Sequence, residues 1–332
     1  MQASHLIHTI DVHVAGWPIR LVNGTIIGDE NDEMSFSEEA RKIWEDENSI
    51  LHWLQREPRG HAAMRVAIVD SSRPNEVRML VFDSEGPCRG DSLDAACAIV
   101  AKAELIAGND ASIRTPGHCY KAITRKLGTS VDEILIEGEL SECVSLDEII
   151  HAGGRDFIVD RAICGNEYVI VNAEAAGLAL SLSHRSALER VARQIAMEAT
   201  IRRQEAGEKP FFEPKDALAG LRIVIADKRV EREGHLRMAV CNENGKLLRA
   251  PEGGAIGAIL AVMSRRCDEI NPSGIIVEGL SGGVLHGAVK SGRVNEGREQ
   301  LLWELRGRAF VTGSHQFLLD PEDPLPRGFL LR

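Results

Sequence analysis

One stretch of sequence decides the fold: GDSLDAACAIVAKA, residues 90–103. Small and aliphatic side chains surround nearly its whole circumference, which predicts a helix buried on most sides. Asp91 or Ser92 is the expected N-cap, and Gly108 is the expected stop. The segment is therefore predicted to be a central helix.

A second stretch has the same character: PEGGAIGAILAVM, residues 251–263. It also predicts an apolar helix of small residues, entered through the pair Gly253-Gly254. Each helix follows a set of predicted strands and carries a carboxylate at or just before its first turn, Asp91 in one case and Glu252 in the other. The same local structure, a helix of small apolar residues with a carboxylate at its start, is therefore predicted twice, although the two segments show no strong sequence repeat.

Strands and further helices are predicted around these two segments. Alternating and β-branched runs predict strands at Leu6–His13, Arg20–Ile27 (ending at Gly28), 65–69 and 77–82. A helix start at Ser35 and Ser37 predicts a helix toward Leu54, and an amphipathic surface helix is expected over 183–200.

Composition limits the classes of partner. The 332 residues fit one large domain or two ordinary ones, and 44% hydrophobic with 27% charged residues is typical of a globular protein. The net charge of -11, with no basic stripe, argues against nucleic acid and anionic membrane, while leaving small anionic molecules open. No export signal or bilayer-spanning run is recognisable, so we expect a cytoplasmic location.

Cysteine usage indicates neither a disulfide framework nor a zinc ribbon. The number is odd, the spacing is irregular and no CxxC occurs. Most of these thiols are expected to be small buried hydrophobes. The seven are Cys88, Cys97, Cys119, Cys143, Cys164, Cys241 and Cys267.

Several blocks together carry a resemblance to a known family. They are DVHVAGWPIR at 11–20, EPRGHAAM at 57–64, FDSEG at 82–86, TPG at 115–117, and a tail from Thr312 to Phe329. These blocks resemble those of the proline racemase and hydroxyproline epimerase family over nearly the whole chain. The resemblance implies two pseudo-symmetric lobes of α/β (α+β) class, each a curved sheet around a central helix, as in diaminopimelate epimerase. Residues 1–152 with about 318–332 would form one lobe and 153–317 the other, with the active-site cleft between them.

The resemblance also implies a reaction. In this family two groups flank the substrate α-carbon, so that one removes a proton and the other returns one from the opposite face. Two facing helix N-termini would hold the substrate carboxylate through free N–H groups. No cofactor and no metal are expected.

The second catalytic block departs from the family pattern. RAPEGG at 249–254 aligns without ambiguity and places Glu252 where the family usually has a cysteine. The amine-binding aspartate of the family falls on Leu248, and an aromatic position falls on Asn242. A slot for a pyrrolidine ring would thus become polar, and the backbone of Gly253 and Gly254 would be left to bind an anion.

The first catalytic block leaves two alignments open. Without a gap, Asp91 replaces the cysteine and Ser92 follows it; with a shortened loop, Cys88 takes that place. The gapless version is favoured because the following helix also aligns. Arg65 replaces an aromatic residue and is a candidate substrate anchor.

Each candidate also has a structural interpretation. Asp91 could be an ordinary N-cap, and Glu252 a carboxylate that favours the helix dipole. Cys88 could be a small packing residue and Arg65 a solvated strand residue. Three histidines in the signature blocks, which no metal-ligand spacing joins, are interpreted as structural: His13, His61 and His315.

The sequence thus favours an isomerase, a racemase or epimerase without cofactor, with Asp91 (or Cys88) and Glu252 as the acid/base pair. Its partner would be a small amino- or hydroxy-acid other than plain proline, with no nucleic acid and no membrane. A related hydroxyproline-dehydratase-like lyase and a non-catalytic binding homologue are the alternatives. The assembly is left open, a homodimer included.

Overall fold

The computed structural model describes residues 5–27, 33–46, 49–73, 75–105, 110–127, 130–205, 218–228, 234–266, 274–295, 297–320 and 322–330. In chain order the strands are β1 His5–Val14, β2 Trp17–Asn23, β3 Arg65–Asp70, β4 Glu76–Asp83, β5 Gly86–Cys88, β6 Asp110–Arg114, β7 Cys119–Leu127, β8 Ser130–Glu137, β9 Ser141–Ala152, β10 Arg155–Cys164, β11 Asn166–Asn172, β12 Leu221–Lys228, β13 His235–Asn242, β14 Ile275–Gly279, β15 Val284–Asn295, β16 Arg298–Gly307 and β17 Ala309–Leu319. The α-helices are α1 Glu33–Glu45, α2 Ile50–Gln55, α3 Ser92–Leu105, α4 Arg185–Glu205 and α5 Gly253–Arg266.

The first lobe is a sheet wrapped around α3. Its strands run in the order β17, β1, β2, β3, β4, β6, β7, β8. The β2–β3 and β4–β6 pairs are parallel and the others antiparallel. Buried aliphatic residues of α3, including Ile99 and Val100, pack in one cluster with those of the surrounding strands.

The second lobe repeats this arrangement around α5 and closes it. Its strands run in the order β9 to β16, and β16 pairs back with β9, so the sheet forms a barrel. Here the β11–β12 and β13–β14 pairs are parallel, at the same places in the order as in the first lobe. The ladder of β16 with β8 joins the two lobes.

The repeat that is weak in the sequence is therefore plain in the topology. In the strand orders given above, each central helix lies between the fifth strand of its set, β4 or β13, and the sixth, β6 or β14, and each helix has 14 residues. Further helices cover the outside of each set, α1 and α2 on the first and α4 on the second. The expected fold, two lobes each with a sheet around a central helix, is confirmed.

The turn that joins β9 and β10 contains Gly153 and Gly154, whose φ angles are +59° and +75°. Glycine is suited to both positions because a Cβ is strained in that left-handed region. The lobe boundary predicted between residues 152 and 153 thus falls at the turn of a hairpin. The residue boundary of the lobes stays a prediction.

Local predictions hold best for long apolar elements. The strands predicted at 65–69 and 77–82 are confirmed as β3 and β4, and both central helices begin where expected. The bounds predicted for the second strand, Arg20–Ile27, are wrong. This strand, β2, begins at Trp17, because the turn before it needs only Ala15 and Gly16, and it ends at Asn23. Gly28 and Gly108 lie outside the described residues.

The helix expected to run toward Leu54 is wrong as one element. It consists of α1 and α2, and the Ser49 hydroxyl accepts the Leu51 N–H to start α2. The amphipathic helix is confirmed as α4, which buries Leu188, Val191 and Ile195 on one side. Within the described ranges no helix has both the length and the hydrophobicity needed to cross a bilayer.

Candidate functional site

The two central helices meet head to head. A Cβ added to Gly253, the first residue of α5, would lie 1.8 Å from the hydroxyl oxygen of Ser92, the first residue of α3. A Cβ at Gly254 would lie 2.2 Å from the hydroxyl of Tyr168. The glycine pair is therefore required by close approach, and the helix N-termini of both lobes share one buried site.

Asp91 directly precedes α3 and bridges both helix ends. Its Oδ1 accepts the Leu93 N–H at 2.9 Å, which caps its own helix, and the Gly253 N–H at 3.1 Å. Its Oδ2 accepts the Gly254 N–H at 3.2 Å. The side chain of one lobe thus occupies the N–H groups that the other lobe presents.

The proton affinity of Asp91 is unusual for an aspartate. Burial raises its pKa to about 7, and the neighbouring charges of Glu252 and Asp94 add to this, against the opposing hydrogen bonds from Leu93 and Gly253. A carboxyl group with that pKa exchanges its proton near neutral pH. Asp91 can therefore act as an acid or as a base under ordinary conditions.

Glu252 directly precedes α5 and turns away from the helix end. Its Oε2 accepts the Tyr168 hydroxyl at 3.0 Å, and its Oε1 accepts the Arg222 Nε–H at 3.3 Å. Burial opposes the charge of Arg222, but the Glu252 carboxylate outweighs it and raises the pKa of that guanidinium. Glu252 is thus held by an ion pair with Arg222 and a hydrogen bond from Tyr168.

Asp94, fully buried in the first turn of α3, has a similar set of partners. Its Oδ1 accepts the Trp17 indole N–H at 2.9 Å, and its Oδ2 accepts Arg65 at 2.8 Å and the Asp91 N–H at 2.9 Å. The Arg65 guanidinium also lies 4.7 Å from the centre of the Trp17 ring. Burial opposes the charge of Arg65, but Asp94 outweighs it and raises the pKa of Arg65.

The two lobes thus hold a carboxylate in the same way. In each lobe, an aromatic side chain on the third strand of the set and an arginine on the fourth bind an acid at the start of the central helix. These residues are Trp17, Arg65 and Asp94 in the first lobe, and Tyr168, Arg222 and Glu252 in the second. Asp91 is the third carboxylate of the site, and backbone N–H groups hold it.

Cys88 lies three residues before Asp91, at the end of β5. Its Sγ lies 3.7 Å from the Gly86 carbonyl oxygen, which it can donate to. Burial raises the pKa of this thiol well above its ordinary value, with a further contribution from the Asp83 carboxylate. A neutral thiol is a poor base, so Cys88 is poorly suited to accept a proton.

Asn242 ends β13 and lies in a turn. Its amide oxygen accepts the N–H groups of Asn244 and Lys246, and its amide nitrogen donates to Glu85 at 3.3 Å. Since Glu85 belongs to the first lobe, Asn242 forms a hydrogen bond between the two lobes. The hydrogen bonds of its side chain bring it to Glu85 and its own turn, and not to Asp91 or Glu252.

The sequence interpretation missed four residues of the site: Asp94, Trp17, Tyr168 and Arg222. A signal existed for Asp94, because an acid three residues after an N-cap can accept the N–H of the cap residue. Trp17 stood in a signature block without a role. Tyr168 and Arg222 carry no local signal, since only the pairing of β11 with β12 brings them beside Glu252.

The donor chemistry of the site is carboxylate, backbone N–H, guanidinium and phenol. Among the described residues, no group of three or more His, Cys, Asp or Glu side chains is arranged to hold a metal ion. The histidines of the signature blocks have protein partners: His315 Nε2 lies 3.3 Å from Asp11, and His61 Nδ1 accepts the Ala63 N–H at 3.2 Å.

Comparison with known proteins gives this geometry a context. The family model described as proline racemase matches residues 9–330, so the chain belongs to the proline racemase family. It is 26% identical over 340 residues to a trans-3-hydroxy-L-proline dehydratase from Bacillus thuringiensis, with 100% of both chains covered.

Two solved structures share the fold. One is described as a probable proline racemase from Agrobacterium radiobacter with bound carbonate, at a TM-score of 0.81 and 19% identity, covering 98% of this chain and 96% of that one. The other is a hydroxyproline epimerase from Agrobacterium vitis with bound trans-4-hydroxy-L-proline, at a TM-score of 0.78 and 19% identity, covering 100% of this chain and 96% of that one.

Proposed function

We propose that this member of the proline racemase family is a cofactor-independent racemase or epimerase of a small α-amino or α-hydroxy acid, with Asp91 and Glu252 as its acid/base pair. One observation carries the proposal. Two buried carboxylates stand at equivalent places on two facing helices, and their surroundings differ: Asp91 has a pKa of about 7 and is held by backbone N–H groups, while Glu252 is paired with Arg222.

The proposed reaction moves one proton in and one out. The Glu252 carboxylate takes the α-proton, and the electron pair of the broken C–H bond becomes an enolate-like carbanion. The carboxylic acid of Asp91 then donates its proton to the opposite face, which inverts the centre. The enzyme returns to its starting state when Glu252 loses its proton and Asp91 regains one.

Backbone N–H groups are the proposed anchor for the substrate carboxylate. Gly253 and Gly254 already hold a carboxylate, that of Asp91, which supports a site of the right size and charge. Protonation weakens the hold of Asp91 on these donors, and the side chain can then turn toward the α-carbon. Ser92, in contact with Gly253, is placed to line the same site.

Arg65 is the second proposed anchor. Its Nη2 is bound to Asp94, but its Nε is buried and has no hydrogen-bond partner within the described residues. A substrate oxygen there would satisfy a donor that is otherwise costly to bury. Asn242 is retained as a proposed contact at the lobe boundary. Polar and charged groups fill this site, which supports a substrate more polar than plain proline.

A dehydratase is the alternative chemistry. The Bacillus relative, matched over its whole length, carries that name. The same base would remove the α-proton, a β-hydroxyl would leave as water with a proton from the acid, and a carbon–carbon double bond would form. A binding protein without activity is the remaining candidate. The cytoplasmic location stays a prediction.

Hydrogen exchange in D₂O separates these functions. The protein is incubated with L-proline, trans-4-hydroxy-L-proline, trans-3-hydroxy-L-proline, L-serine and L-aspartate, and the Cα–H signal is followed by NMR. Deuterium uptake with inversion supports a racemase or epimerase, and loss of water supports a dehydratase. A ligand that binds, shown by calorimetry, and never exchanges its α-proton would refute both.

A further inference from the structure

The arginine of the second lobe binds the acid that directly precedes its central helix. α5 begins at Gly253, and Arg222 Nε lies 3.3 Å from Oε1 of Glu252, the residue before it. The position three residues after Glu252 is Ala255, which is buried and carries no charge. The acid at the start of this helix therefore has a cation as its partner.

The first lobe uses its arginine differently. α3 begins at Ser92, so Asp91 occupies the position that Glu252 has in the second lobe. Arg65, however, binds Asp94, three residues further along the chain, with its Nη2 2.8 Å from Oδ2. The side chain of Asp94 is fully buried and that of Arg65 is mostly buried, so little water screens this ion pair. The cation of this lobe is thus bound to the second acid of the helix and not to the first.

Asp94 holds Arg65 close to Asp91. Its Oδ2 accepts both the Arg65 guanidinium and the Asp91 N–H, the latter at 2.9 Å. Burial opposes the charge of Arg65, but the surrounding acidic groups raise its pKa, Asp94 most strongly and Asp91 to a smaller extent. Arg65 therefore acts on the charge of Asp91, and the negative charge of Asp94 offsets that effect.

Two further acidic groups lie near Arg65, but their chemistry differs from that of Asp94. Burial and the Asp83 carboxylate raise the pKa of the Cys88 thiol, which stays neutral. Asp83 itself is half-buried in a turn, where its Oδ1 accepts two N–H groups of that turn. The charge that neutralises Arg65 is therefore that of Asp94.

Ionisable groups face Asp91 from both lobes. Burial is the main reason for its raised pKa, and the charges of Glu252 and Asp94 add to it. Three groups on the surrounding strands are neutral near neutral pH, because burial raises their pKa well above the ordinary value: Tyr120, Cys164 and Tyr168. Three arginines around the site are each paired with a carboxylate: Arg65 with Asp94, Arg89 with Glu139, and Arg222 with Glu252. A cation left unbalanced here would act directly on Asp91.

We propose that Asp94 is a positioning residue of the reaction: it binds Arg65 and so keeps the positive charge of that guanidinium from ionising Asp91. The inference rests on the proposed function, in which Asp91 must be able to hold a proton. A nearby cation favours the charged form of a carboxyl group. An ionised Asp91 would have no proton to donate and would keep the N–H groups of Gly253 and Gly254 occupied. Asp94 thus determines the pH range in which these donors become available to a substrate carboxylate.

Titration of Asp91 in the absence of substrate tests this role. The carbon-13 NMR signal of its carboxyl group, assigned by its loss in Asp91→Asn, is followed against pH. Asp94→Asn should lower the midpoint of this titration by about 1–3 pH units, because it removes a negative charge and leaves Arg65 unbalanced. Asp94→Asn combined with Arg65→Met removes both charges and should return the midpoint toward that of the wild type. Trp17→Phe is the matched control: it removes a hydrogen bond to Asp94, keeps both charges and should leave the midpoint in place.

The pH profile of Cα exchange is the second measurement. In Asp94→Asn its alkaline limb should move to lower pH, whereas a purely structural defect would lower the rate equally at every pH. An unchanged midpoint in Asp94→Asn, or a double variant whose midpoint stays as low as that of Asp94→Asn, would overturn the proposal. If Asp94→Asn does not fold, Asp94→Ala, which copies Ala255 of the second lobe, takes its place with the same expected results. A titration that follows these expectations in a protein that exchanges no α-proton would support the effect of Asp94 on Asp91 and refute the proposed function.

Discussion

The N-termini of α3 and α5 occupy equivalent places in two similar sheets, yet their chemistry differs. The first helix brings two carboxylates to the site, Asp91 and Asp94, whereas the second brings Glu252 and a pair of glycines. Backbone N–H groups of α5 are therefore left for the carboxylate of Asp91 to bind. The result is an asymmetric site on a nearly symmetric scaffold.

This difference shows that topology and charge obey separate constraints. The same strand order can form around any central helix whose apolar side chains fill the space inside the sheet, and many combinations of small residues do so. The charges must instead be balanced locally, because a buried carboxylate without a partner is costly. Two of the three acids are paired with an arginine, whereas Asp91 is held by backbone N–H groups and has a pKa of about 7.

The largest expected effect comes from removing either proton carrier. Glu252→Gln and Asp91→Asn should each slow Cα exchange by about 10²- to 10⁴-fold, because an amide neither takes nor supplies the proton. NMR in D₂O with the best substrate of the panel measures this. Asp156→Asn, at an exposed carboxylate of β10, is the control and should exchange at the wild-type rate. Full activity in either Glu252→Gln or Asp91→Asn would contradict the proposal that these two residues form the acid/base pair.

Removing one arginine at a time tests whether the ion pairs Arg65–Asp94 and Arg222–Glu252 contribute equally to stability. Arg65→Met and Arg222→Met should each lower the free energy of unfolding by about 3–5 kcal/mol, because Asp94 or Glu252 is left buried without its cation. Denaturant unfolding midpoints measure both. Asp94→Asn added to Arg65→Met should recover part of the loss. A large loss in one lobe and none in the other would contradict the equivalence.

Tyr168→Phe removes one hydrogen bond to Glu252 while keeping the ring. We expect a loss of about 1–3 kcal/mol in the free energy of unfolding and slower Cα exchange, since a buried carboxylate oxygen loses a donor. Tyr120→Phe is the matched control, because its buried hydroxyl donates to Glu139. It should lower stability without slowing exchange; an equal effect of both on exchange would assign Tyr168 a purely structural role.

The smallest effect concerns pH. The folded-state pKa of Asp91, about 7, lies above its unfolded value of 3.8, so its contribution to stability is complete below pH 3.8 and is lost as the pH rises through 7. The unfolding free energy of the wild type, minus that of Asp91→Asn, should therefore increase by about 1.4 kcal/mol when the pH is lowered from 8 to 6. A flat difference curve would show that Asp91 has an ordinary pKa.

Sequence reasoning was sound where a signal is local and strong. The small apolar helices, the carboxylates that precede them and the signature blocks of the family all lie within short segments. It failed for the helix that is divided into α1 and α2, and for Tyr168 and Arg222, which are more than 50 residues apart in the chain. Their role depends on a parallel ladder that brings Tyr168 opposite Arg222.

By itself the sequence determined the two central helices, the family and the presence of Asp91 and Glu252 at the helix starts. Only the tertiary structure decided which acid is held by an arginine and which by backbone N–H groups. The reason is that helix formation follows from neighbouring residues, whereas the pKa of a buried acid depends on the charges and donors around it. For Asp91 those groups include Glu252, Gly253 and Gly254 of the other lobe.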